Sequence, residues 1–82
     1  MKKLLFYKTK AGTFYICQSQ DSRFCSVYDE ESLGSYISIN QTIDDLIQNA
    51  TGSVLHHSTG ELLDTSVLGL PEDPSEWEKA RR

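Results

Sequence analysis

The sequence predicts an α+β fold: a three- to four-stranded antiparallel meander packed on one amphipathic helix, with a C-terminal tail and short helix. Four short runs rich in aromatic and branched apolar residues open the chain. Short polar turns separate them, and one later stretch repeats apolar residues with the helical period. With 82 residues, the chain is expected to form one domain, with strands in 1–36, the helix in 38–52 and a tail that packs on the core in 53–82.

The strands of the meander are expected at residues 3–8, 13–18, 23–28 and 33–36. Aromatic and branched apolar side chains dominate the first three, and these residues suit a pleated sheet. Gly12 and the polar stretches 19–22 and 29–32 mark the turns. Because such short connections join neighbouring strands as hairpins, the sheet is predicted to be antiparallel.

The helix has the clearest pattern in the chain. Ser38 is a good N-cap residue, and Gln41 three positions later completes a capping box. Gly52 is expected to end the helix. One face of the helix carries the apolar side chains, which are therefore predicted to be buried against the sheet: Ile39, Ile43, Leu46, Ile47 and Ala50.

The tail is expected to return to the core. Asp73 is a suitable cap and Pro74 a suitable first residue for a short helix, which would place Trp77 in its first turn. We expect Trp77 to pin the tail to the core, with an exposed anchor for a partner as the alternative. Several apolar residues upstream are also expected to pack there: Leu62, Leu63, Val67, Leu68 and Leu70.

Three pieces of the sequence carry a resemblance to a known family: residues 33–36 (Leu-Gly-Ser-Tyr), residues 43–46 (Ile-Asp-Asp-Leu) and, most specifically, residues 68–78. Together with the two aromatic strands at residues 13–16 and 23–28, they make the chain from Gly12 onward similar to a small family of uncharacterised bacterial proteins. That family has a C-terminal Leu-Gly-Leu-Pro-Glu-Asp-x-Ser-Glu-Trp-Glu motif. The resemblance implies no activity, because no function is established for the family.

The topology is also similar to that of three-strand-plus-helix DNA-binding modules of the integrase-arm and plant transcription-factor type. In those modules a Leu-Gly-aromatic strand end leads into the helix, as residues 33–36 do here. The similarity implies DNA recognition by basic and aromatic residues on the exposed sheet face. Since Arg23 is the only cation in the second to fourth predicted strands, a nucleic-acid-binding module using the sheet remains the alternative prediction.

Charge is unevenly distributed along the chain, whose formal net charge is −4. Residues 11–78 hold one cation, Arg23, against all twelve carboxylates, which leaves −11 for that segment. This segment indicates either a solvated acidic face neutralised by the basic ends or a surface for a basic partner. We expect no nucleic-acid partner, because phosphate binding needs clustered cations.

The apolar runs are too short for a membrane span, so a cytoplasmic location without membrane contact is expected.

Residues with potential for chemistry are few. His56 and His57 could ligate a metal with Glu61 or Asp64, but neighbours in an extended segment point in opposite directions, which favours loop histidines without a ligand role. Cys17 and Cys25 could form a disulfide or act with a histidine, but buried, reduced thiols are expected. We therefore predict no catalytic residue, no metal and no cofactor; a small metal-dependent or cysteine enzyme is a further alternative.

The strands carry more aromatic residues than one sheet face can hold. Some must point away from the helix, which leaves a second, partly apolar face. That face must be covered by the tail, by a second copy of the chain or by a partner. The predicted function is therefore a non-catalytic protein–protein interaction module with an acidic surface, with a homodimer as one arrangement. The candidate interface residues are Tyr15, Tyr28, Asp29, Glu30, Glu31 and Tyr36.

Overall fold

The computed structural model describes residues 2–51 and 54–80, and within them five antiparallel strands form one sheet. The strands are β1 (Lys2–Thr9), β2 (Gly12–Gln18), β3 (Phe24–Tyr28), β4 (Glu31–Ser32) and β5 (Glu78–Lys79), and the helix α1 is Ile39–Ile47. The order of the strands in the sheet is β4-β3-β2-β1-β5. A meander packed on a single helix confirms the predicted α+β class.

The three long strands, β1 to β3, form consecutive hairpins. Gly12 opens β2 with a φ of +127°, a conformation that favours glycine. Tyr7 lies opposite Phe14, and Phe14 lies opposite Tyr28. Because side chains alternate along a strand, these three share one face, which we call the inner face. It packs against α1 and contains most of the core.

The fourth strand lies earlier in the chain than predicted. It was expected at residues 33–36, but β4 is Glu31–Ser32 and follows β3 after a two-residue turn. Asp29 and Glu30 make this turn with φ values of 53° and 67°, so the chain reverses at once. Tyr36 forms an isolated bridge to Phe24, with N···O distances of 2.7 and 2.8 Å.

The helix begins as predicted and ends earlier. The Ser38 hydroxyl accepts a hydrogen bond from the Gln41 N–H at 3.1 Å, which confirms the N-cap. Asn49 takes a left-handed φ of 57°, so the helix stops at Ile47. Ala50 is consequently exposed rather than part of the buried face. Gly52, the predicted stop, lies outside the described residues.

The core forms between α1, the inner face and the tail. Ile43 and Leu46 are fully buried, as predicted, and Ile39 and Ile47 pack at the margin of the core. The tail contributes Leu68, Leu70 and Trp77 to the same cluster. Leu62 and Val67, which were expected there too, are 70% and 63% exposed; Leu63 is half-buried against the core. The tail therefore packs on the helix side of the sheet.

Trp77 fastens the tail to the sheet. It follows a 3-10 turn, Pro74–Glu76, instead of lying inside a short helix. Its indole ring is 3% exposed and packs on Tyr7 with ring centroids 5.8 Å apart. The indole N–H donates a hydrogen bond to the Pro71 carbonyl at 2.9 Å. The predicted pinning role of Trp77 is confirmed, and it positions β5 against β1.

Tyr36 joins the sheet to the helix. Its hydroxyl donates a hydrogen bond of 2.6 Å to the Asp45 carboxylate on α1. A Cβ atom on Gly34 would lie 2.6 Å from the Tyr36 hydroxyl oxygen, so only glycine permits this approach. The Gly-x-Tyr sequence at residues 34–36 therefore has a structural reason.

Titration of Tyr36 is expected to weaken the fold at high pH. Burial raises the pKa of Tyr36 to about 12, and the hydrogen bond to Asp45 and its negative charge act in the same direction. In the unfolded chain the pKa is near 10. The protonated phenol therefore contributes stability that is complete below pH 10 and is lost as the pH rises through about 12. Denaturant unfolding of wild type and Tyr36→Phe checks this, since the stability difference between them should shrink over that range. A constant difference would contradict it.

Candidate functional site

The face of the sheet opposite α1 carries the surplus apolar residues. We call it the outer face; by register and alternation it holds Lys3, Phe6, Lys8, Thr13, Tyr15, Cys17, Cys25 and Val27. The helix and the core residues of the tail lie on the other side. The aromatic and aliphatic side chains at its centre, Phe6, Tyr15 and Val27, remain partly exposed.

Tyr15 occupies the middle of the outer face. Its ring lies 6.2 Å from the Phe6 ring, and Val27 is its direct neighbour on β3. The Lys3 ammonium lies over the ring, 4.3 Å from its centroid, as in a cation–π contact. The ring therefore has apolar neighbours on both adjacent strands and a cation above it.

Two grooves of unlike charge adjoin Tyr15. The first, the lysine groove, has a volume of about 220 Å³ and is lined by Lys3, Phe6, Lys8, Thr13, Tyr15 and Ala80. The second, the acidic groove, has a volume of about 290 Å³, lies at the end of β2 and β3, and is lined by Lys3, Gly12, Thr13, Tyr15, Tyr28, Asp29, Glu30 and His57. Lys3 and Thr13 border both grooves. Lys8 lies on the β1 side of β2 and Asp29 follows β3, so the two grooves flank β2.

Tyr28 and Tyr36 do not lie on the outer face, which corrects their assignment as interface residues. Tyr28 is 3% exposed on the inner face and stacks on Phe14 with ring centroids 4.7 Å apart. Its hydroxyl donates to the Ala11 carbonyl at 2.7 Å and accepts from the His57 N–H at 3.2 Å. The Tyr36 side chain lies on the helix side of the sheet, where its hydroxyl donates a hydrogen bond to Asp45 on α1. Of the three predicted tyrosines, only Tyr15 presents its ring on this face.

The three predicted carboxylates separate into two positions. Asp29 and Glu30 are exposed in the β3–β4 turn and line the acidic groove. Glu31 is exposed but pairs with Tyr28, so alternation directs it to the inner side of the sheet. Two of the three acidic residues therefore border the outer face.

The two cysteines lie directly opposite each other on the outer face, at 3% and 4% exposure. Burial raises the pKa of the Cys17 thiol, and the neighbouring Cys25 raises it further. Since the thiolate is the nucleophile, these conditions disfavour cysteine catalysis at Cys17. A hollow of about 490 Å³, lined by Cys25 and five residues of polar type, lies beside the β2–β3 turn. The cation of that turn, Arg23, is hydrogen-bonded to Ser35 through Nε at 2.7 Å.

The two histidines are neighbours in space, contrary to the expectation that they point in opposite directions. Their rings stack with centroids 4.9 Å apart. The chain turns back after them, since the His56 N–H donates to the Glu61 carbonyl and the Gly60 N–H donates to the His56 carbonyl. His56 Nδ1 accepts from the Ser58 N–H at 3.1 Å. Within residues 2–51 and 54–80, no group of three or more His, Cys, Asp or Glu side chains could hold a metal ion.

Sequence reasoning missed Lys3, Phe6, Lys8 and Val27 as members of the site. Phe6 and Val27 can be placed beside Tyr15 only when the pairing register of the two hairpins is known, because alternation within one strand does not fix the face of the next. In the described part of the chain, no helix is long and apolar enough to cross a membrane.

The fold and this face define a small sheet–helix domain with one partly apolar sheet surface between grooves of opposite charge. The chain matches no family model, no curated protein and no solved structure.

Proposed function

We propose that the protein is a non-catalytic interaction module that binds a protein partner through the outer face of its sheet. The observation that carries this proposal is the Tyr15 ring, placed among Phe6 and Val27 on the side of the sheet away from α1. An apolar centre containing an aromatic anchor, with charged residues at its border, is the usual anatomy of a protein interface.

The chemistry of the face supports binding rather than catalysis. Both cysteines of the face are buried, and burial raises the pKa of the Cys17 thiol. The charged side chains of Lys8, Asp29 and Glu30 are exposed at the border, where they steer a partner and select against wrong ones. Two cysteines kept as buried side chains suit a reducing compartment, and we place the protein in the cytoplasm.

A single-stranded nucleic acid is the second candidate partner, and it rests on a specific observation. Lys3 and Lys8 lie on the same face as Phe6 and Tyr15, and cations beside exposed rings are what single strands require. The carboxylates of Asp29 and Glu30 on the same surface would repel phosphates. We therefore favour a protein partner.

The proposal is tested by capture from the native cell with immobilised wild type, Tyr15→Ala and Val67→Ala, followed by mass spectrometry. Val67 is the matched control, since it is 63% exposed in a 3-10 turn that packs against α1 on the other side of the sheet. We expect a partner retained by wild type and Val67→Ala, and bound at least about tenfold more weakly by Tyr15→Ala. Equal retention by all three would contradict the proposal. A fluorescent single-stranded oligonucleotide whose micromolar affinity falls steeply with salt would favour the second candidate.

A further inference from the structure

The outer face carries two grooves of opposite charge that could pair with each other between two copies of the chain. The lysine groove and the acidic groove adjoin the same ring, have similar volumes of about 220 and 290 Å³, and lie on either side of β2. Lys8 is exposed in the first groove, and Asp29 and Glu30 are exposed in the second. A partner for this face therefore needs an acidic surface beside a basic one at the same spacing, with an apolar patch between them. The chain itself has that surface.

We propose that the occupant of the outer face is a second copy of this chain, in a two-fold symmetric dimer with the sheets face to face. This inference rests on the proposed function, since it names the partner for the same surface. A two-fold axis running along β2 in the contact plane, past Tyr15, brings each lysine groove onto the acidic groove of the other copy. Both grooves are then matched in one operation, which is the self-complementarity that a two-fold interface requires.

The shape of the sheet also favours contact through the face. Its two edges are formed by β4 and β5, which have two residues each, so they offer little backbone for pairing with another sheet. Two sheets packed face to face lie roughly 10 Å apart and interdigitate their side chains. Phe6, Tyr15 and Val27 of each copy would fill that space. Each copy carries a net charge of −4, so attraction between the grooves has to act against repulsion between the whole molecules, and a weak dimer is expected.

Reversing the charge of each groove gives a test with an internal control. In Lys3→Glu/Lys8→Glu both grooves are acidic, and in Asp29→Lys/Glu30→Lys both are basic. Each variant alone would set like charges against each other twice, whereas an equimolar mixture restores two attractive contacts. Asp44→Lys/Glu76→Lys changes the net charge as the second variant does, at exposed positions on α1 and in the tail. Circular dichroism checks that every variant folds.

Sedimentation equilibrium is the measurement, over protein concentrations up to about 1 mM. We expect wild type and Asp44→Lys/Glu76→Lys to dimerise, each groove variant alone to associate at least about tenfold more weakly, and the mixture to form a heterodimer. A wild type that stays monomeric would overturn the inference, and so would a dimer that the groove variants leave unchanged. In either case the capture experiment with Tyr15→Ala still decides the proposed function, because it registers any partner of the face.

Discussion

Trp77→Ala is expected to lower the free energy of unfolding by about 3–5 kcal/mol, the largest effect of any single substitution in the tail. The indole is almost completely buried, packs on the Tyr7 ring and donates to the Pro71 carbonyl. Removing it leaves a cavity beneath the tail and an unmatched carbonyl. For a chain of 82 residues, a total stability of about 4–12 kcal/mol is expected, so this loss would be a large share of it. Denaturant unfolding followed by circular dichroism measures the change.

Trp77→Phe separates packing from hydrogen bonding, because it keeps a ring near Tyr7 and removes the indole N–H. We expect it to cost less than the alanine variant. Trp77 is the only tryptophan in the chain, so its fluorescence in the wild type reports on the docking of the tail. A loss below about 1 kcal/mol for Trp77→Ala would mean that the tail contributes little to the core.

Ile43→Ala is expected to cost about 2–4 kcal/mol, from the lost transfer free energy and the cavity that remains. Ile43 is fully buried at the centre of the contact between α1 and the sheet. Ile37→Ala is the matched control, since Ile37 is 73% exposed immediately before the helix cap. That control should change the stability by less than about 0.5 kcal/mol. Similar losses for both variants would show that the helix does not bury the face assigned to it.

The parts of the fold that local chemistry determines could be predicted from the sequence. Ser38 and Gln41 fix the start of α1 through one local hydrogen bond, and apolar spacing identified Ile43 and Leu46 as buried. The end of α1 was missed because Asn49, rather than glycine, takes the left-handed position. β5 was missed for a different reason: two polar residues, Glu78 and Lys79, have no strand pattern of their own and pair only because Trp77 places them beside β1.

The candidate site was predicted in part, because its position depends on register. The surplus of aromatic residues correctly indicated a second apolar face, and Tyr15 lies on it. Tyr28 was assigned to the wrong face, because the face of a residue depends on the register and a shift of one residue exchanges the two faces of a strand. The pairing of Phe14 with Tyr28 settles the side, and no local pattern contains that information. Lys3 and Lys8 were not included in the predicted interface for the same reason, since only the register with β2 places them on the outer face.

The position of β5 has a consequence for how the protein is made. β1 contains the most apolar run of the chain, residues 4–7. In the folded molecule β5 pairs with this run at Leu5 and Phe6, and the Ala80 N–H donates a hydrogen bond to the Leu4 carbonyl at 2.9 Å. β5 follows β1 by most of the described chain, so the ribosome makes β1 well before it makes the strand that covers it. Until β5 has been made, the edge of β1 that it covers is open and available to other nascent chains. Cleavage before Glu78 would expose the same edge, so loss of β5 would make the folded protein prone to aggregate.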